Sequence, residues 1–76
     1  MDIEDRLKKL QSLFTYALSG AVAAKAHYLA VLGEPGSTPA AVAKAKMAWH
    51  QLEARKTAII ARMVELEDLV EEAAAV

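Results

Sequence analysis

Both prolines of the chain and two of its three glycines fall in one stretch, Gly33-Glu34-Pro35-Gly36-Ser37-Thr38-Pro39. It is the only strong punctuation in the chain, and the rest is rich in Ala, Leu, Glu and Lys, which favour a helix. Gly33 suits the left-handed position that follows a helix end, and Pro35 prevents continuation. Thr38 or Ser37 can accept bonds from the first free amides of a second helix, with Pro39 at its first position. Asp2, followed by Asp5, supplies an N-terminal cap for the first. The expected fold class is therefore all-α and the domain single, over 1–76. Helix 1 spans 3–32, a loop 33–38, and helix 2 39–74. At about 1.5 Å per residue the helices are rods of roughly 45 and 55 Å. A connection this short folds them into an antiparallel two-helix hairpin.

Heptad spacing agrees with that topology. Ile3, Leu7, Leu10, Phe14, Ala17, Ala21, Ala24, Tyr28 and Val31 step by four and three along helix 1. Val42, Ala45, Trp49, Leu52, Lys56, Ile59, Met63, Leu66, Val70 and Ala73 do the same along helix 2. Folded at the loop, the two series meet in layers, from Val31 on Val42 next to the loop to Ile3 on Val70 at the far end. Large residues then face small ones, Trp49 on Ala24 and Tyr28 on Ala45, as close packing requires.

Seventy-six residues make a small domain, and 17 of its 42 hydrophobic residues are alanine. So small a chain buries a modest share of its surface and calls for a staple, a metal or a partner. With no cysteine, disulfides and thiolate metal sites are excluded. The first dozen residues carry Asp2, Glu4, Asp5, Arg6, Lys8 and Lys9 rather than a basic start and an apolar run, so no secretory leader is expected. Leu13 to Gly33 is nearly apolar and of membrane-spanning length, but Lys25 and His27 interrupt it and alanine supplies much of its apolar character. The expectation is a cytoplasmic protein without a membrane partner.

One facing helix cannot cover helix 1. Its apolar arc extends over about half the circumference, leaving Leu18, Val22 and Leu29 as a shoulder beside the seam. Its back holds Tyr16, Gly20, Ala23 and His27, with no charged residue from Lys9 to the loop except Lys25. Small residues there would let another helix approach closely. Self-association into a four-helix bundle is the simplest remedy, because closed two-fold dimers are the commonest oligomers. Two capped heptad helices joined by a short loop resemble in outline the Rop-type hairpin. That resemblance implies a dimeric four-helix bundle and an RNA-binding role. The same outline is found in small secretion chaperones and phage-encoded inhibitors of host proteins.

Charge is segregated along helix 2. Pro39 to Arg62 holds five cations and one anion, and five anions follow. Lys44, Arg55 and Arg62 form a basic stripe at one edge of the seam, where a nucleic acid could bind. The net charge of −1 and the acidic end weigh against that. Glu65 and Glu67 lie opposite Lys8 and Arg6, so cross-helix pairing is expected. Lys25 and Lys56 point towards the core and are expected to be structural, their ammonium groups either reaching out to solvent or fixing the register by pairing, with Glu53 a candidate partner.

No catalytic residue, metal ligand or cofactor site is expected. His27 and His50 sit on outer faces of different helices, and His50-Gln-Leu-Glu53 reverses the order of a di-iron ligand pair. No nucleophile has a base beside it, and Gly33 to Ser37 lacks the lysine of a phosphate loop. The leading expectation is a non-enzymatic homodimer that masks a larger protein partner as adaptor, chaperone or inhibitor. Its contact face would be Tyr16, Gly20, Ala23 and His27, or Leu18, Val22 and Leu29. An RNA- or DNA-binding regulator and a structural subunit of a larger assembly are the alternatives.

Overall fold

The computed structural model describes residues 2–75. It contains two helices, α1 (Ile3–Gly33) and α2 (Pro39–Ala75), packed against each other as a hairpin rod of 61 × 16 × 15 Å. No strand occurs among the described residues, and none of the helices described is long and apolar enough to cross a membrane.

The caps explain why the helices begin where they do. Asp2 is extended, and its carboxylate accepts the Asp5 backbone N–H at 2.9 Å. At α2 the Thr38 hydroxyl oxygen accepts the Ala41 N–H at 3.1 Å, and Pro39 takes the first helical position, where no amide is required. Thr38, rather than Ser37, is the cap; Ser37 donates its own N–H to the Glu34 carbonyl and closes the turn.

The end of α1 departs from expectation. Gly33 is the last helical residue rather than a left-handed cap, and none of the described residues has positive φ. Glu34 ends the helix in an extended conformation (φ −83°, ψ 123°), its N–H reaching the Val31 carbonyl. The cause is Pro35. Its ring clashes with a helical conformation at the preceding residue and pushes Glu34 into the extended region.

Packing follows the heptad register. Every predicted seam residue except Ala73 is buried or half-buried, and outside the seam only Gly20, Ser37 and Glu53 are not exposed. The fully buried set is small: Ala17, Ala21, Ala45 and Leu66, three of them alanine. Alanines at these positions draw the helices together, but they bury little apolar area.

The layer arithmetic needs one correction near the loop. Tyr28 does not stop at Ala45; its ring stacks on Trp49, centroids 5.6 Å apart and planes 21° from parallel. Helical side chains lean towards their own N-terminus. In an antiparallel pair, Tyr28 therefore leans away from the loop and Trp49 towards it, so the rings meet across one layer. At the far end, Asp2, Ile3, Arg6, Val70 and Ala73 line a shared depression, which places both ends of the described chain at one pole.

Candidate helix-docking faces

The hairpin has two lateral sides, and side-chain contacts tell them apart. On one, the Lys25 ammonium lies 5.7 Å from the centroid of the Trp49 ring. The Trp49 indole N–H donates to Glu53 at 3.2 Å, and the Lys56 ammonium binds the other Glu53 oxygen at 2.8 Å. Hydrogen bonds from Lys56 and then Trp49 hold the Glu53 carboxyl below its ordinary value. Lys56 thus has the expected structural role. Lys25 does not enter the core; it is exposed and caps the Trp49 face, a cation–π arrangement. His50 tilts against the same indole at 4.9 Å.

Lys25 and Glu53 mark this edge on the two helices. Stepping from Lys25 by four and three reaches Leu18, Val22, Leu29 and Leu32; stepping from Glu53 reaches Thr57, Ile60 and Val64. All the large apolar residues of this set are exposed, Val22 at 62% and Ile60 at 42%. In the register that sets Ile3 beside Val70, Val64 falls at the level of Lys9 and Ile60 at that of Leu13. The apolar residues therefore run as one strip from Val64 through Ile60 and Leu18 to Leu32. Its length is roughly 35 Å at the rise of a helix. Sequence reasoning found Leu18, Val22 and Leu29 but missed the α2 half. The spacing 53, 57, 60, 64, one position off the seam, was the signal for it.

The other side is small and cationic. Arg6, Lys9, Leu10, Leu13, Arg62 and Leu66 line a groove between the helices there. Tyr16, Gly20, Ala23 and His27 continue this edge along α1, and Lys44, Ala48 and Arg55 along α2. Tyr16 stands out at 81% exposure, and Ala23 and His27 are also exposed. Gly20 behaves differently. It is half-buried, and a Cβ placed on it would meet the Leu52 side chain at 3.6 Å. Gly20 belongs to the margin of the seam more than to the outward face.

The basic stripe Lys44, Arg55 and Arg62 is exposed along this side, and Arg62 already binds Glu65 at 2.8 Å. The ion pairs present, Lys56–Glu53 and Arg62–Glu65, both lie within α2. The expected cross-helix pairing of Glu65 and Glu67 with Lys8 and Arg6 is not formed among the described residues. Glu65 sits one turn from Arg62, so the nearer partner takes it.

Outside both sides, α2 carries a shallow apolar face around Met47, with Ala40, Ala43 and Ala54 beside it. Among the described residues no three His, Asp or Glu side chains come together as a metal site. The class defined by fold and faces is an all-α helical hairpin with two unlike sides. Comparison with protein-family models, curated proteins and solved structures finds no match.

Proposed function

We propose that this chain is a small non-enzymatic interaction module. It pairs with a second copy through the apolar strip to form a four-helix bundle, and the dimer masks or bridges a larger protein as adaptor, chaperone or inhibitor. The observation that carries this reading is the strip itself, six large exposed apolar residues spaced along one side of a hairpin whose own core is mostly alanine. Monomeric proteins rarely leave such a patch in water.

Surface area supports it. The hairpin exposes 5646 Å² for a mass of 8.2 kDa. Area–mass scaling for folded monomers gives about 4,500 Å² at that size. The excess, about 1,100 Å², comes with the 61 × 16 × 15 Å rod shape and is enough for a second copy to cover the roughly 800 Å² per partner of a stable interface.

The test is the double substitution Leu18→Glu with Val22→Glu, followed by sedimentation and far-ultraviolet circular dichroism. The wild type should sediment at twice the chain mass and the variant at the chain mass with its helices retained. A variant that remains dimeric overturns the reading.

A further inference from the structure

The side opposite the strip has its own chemistry, and it points to a different occupant. We propose that this side is a docking trough for an acidic amphipathic helix of the partner protein. The proposal rests on the interaction-module reading above and names what the partner presents.

The groove has a leucine floor, Leu10, Leu13 and Leu66, and a cationic rim, Arg6, Lys9 and Arg62. Leu66, 2% exposed, closes the bottom of the groove, and Leu13, 39% exposed, offers its accessible apolar surface. Further towards the loop, Arg55 and Lys44 extend the cations along the same edge. From the groove to the loop the only anion on this side is Glu65, already bound to Arg62. The strip side differs, interspersing Lys8, Lys25 and Lys46 with Glu4, Glu53 and Glu67. An excess of one sign beside an apolar floor selects a ligand of the opposite sign that also carries an apolar stripe.

Shape selects a helix. The groove runs between the two helices, and beyond Leu13 the same edge continues through the exposed Tyr16 to the small residues Ala23 and Ala48. Apolar residues of the incoming helix would seat on the leucines while its flanking carboxylates reach Arg6, Lys9 and Arg62. A nucleic acid would leave the leucine floor unused and would meet the acidic residues of α2 at the end of the row.

The test is fluorescence anisotropy with a labelled synthetic helix of about 21 residues, roughly 30 Å long, carrying leucines at heptad spacing flanked by glutamates. Three further probes are a lysine-flanked version, a scramble of the acidic one, and a single-stranded RNA oligonucleotide. The proteins are the wild type, Arg6→Glu with Arg62→Glu, and the monomeric strip variant Leu18→Glu with Val22→Glu. Arg6→Gln with Arg62→Gln replaces the charge-reversed pair should that one lose helicity. The acidic helix should bind the wild type and the strip variant alike, and the Arg6/Arg62 variant at least about tenfold more weakly, a difference of about 1.4 kcal/mol. The lysine-flanked and scrambled probes should not bind. No binding of the acidic helix, equal binding by its scramble or by the Arg6/Arg62 variant, or tighter binding of RNA overturns the proposal. So does an Arg6/Arg62 variant that becomes monomeric, because the trough would then hold the second copy. Failure of the dimer reading would show separately, as a monomeric wild type that still binds the acidic helix.

Discussion

The two lateral sides of the hairpin are made from the same two helices and the same seam, yet they leave different surfaces in water. One carries Leu18, Val22, Leu29, Leu32, Ile60 and Val64 with charges of both signs; the other carries Leu13 and Leu69, Tyr16, small residues and a run of cations. A shift of one position in the heptad moves a residue from one to the other. Binary patterning thus fixes the hairpin through the seam alone, while the positions flanking it are free to encode which neighbour each side accepts.

The sharpest way to break that contrast is to put a charge on each side in turn. Leu29→Glu should weaken self-association by at least about 100-fold, near 2.7 kcal/mol, whereas Ala23→Glu should leave it unchanged in sedimentation. If Ala23→Glu is the one that dissociates the dimer, the sides are assigned the wrong way round.

Truncation gives the next effect in size. Leu66→Ala empties a buried position and should cost about 2–4 kcal/mol in denaturant unfolding. Ile60 is 42% exposed in the lone hairpin, so Ile60→Ala should cost about 1 kcal/mol in a monomeric background. In the dimer its cost should approach that of Leu66→Ala, and equal values in both backgrounds would place Ile60 outside the interface.

A pH titration bears on the strip side. Glu53 has a depressed folded pKa, with Lys56 and then Trp49 as donors. The resulting stabilisation is present above the ordinary carboxylate value near 4.5 and is lost as pH falls through the lowered folded value. Glu53→Gln should therefore be less stable than wild type at neutral pH and converge with it in acid. Trp49 fluorescence should report the same step, and a wild-type indole signal that stays flat below pH 4.5 would remove Glu53 from its surroundings.

Gly20→Ala has the smallest effect and the most informative sign. The added Cβ meets Leu52 at 3.6 Å, an ordinary contact, so the helix should gain about 0.5–1 kcal/mol. Binding of the acidic helix should be little changed, because Gly20 faces the seam margin. A loss of binding with a gain in stability would show that the trough needs its bare backbone.

Much of this was legible in the sequence for a simple reason. The seam repeats every seven residues without interruption, so periodicity places Ala21, Ala45 and Leu66 in the interior without knowledge of the loop. Side-chain direction was harder, because a layer diagram sets Tyr28 against Ala45 and omits the lean that carries it to Trp49. Gly33 was misplaced because its identity suggested a left-handed cap, while the neighbouring proline had already chosen an extended exit through Glu34. The α2 half of the strip went unseen for the opposite reason. Ile60 and Val64 are spaced among Thr57 and Glu67, and only the partner helix makes them continuous with Leu18.

That both ends of the described chain emerge at one pole determines how the molecule bears load. Pulled apart at Asp2 and Ala75, the helices part like a zipper, one layer at a time, instead of sliding past each other with every layer strained together. The leucine and isoleucine layers of the open end would yield first. Near the bend, the tension then meets Tyr28 stacked on Trp49, with Lys25 over the indole. Load applied at those ends is therefore met one layer at a time, first by Ile3 with Val70 and last by the aromatic stack near the bend.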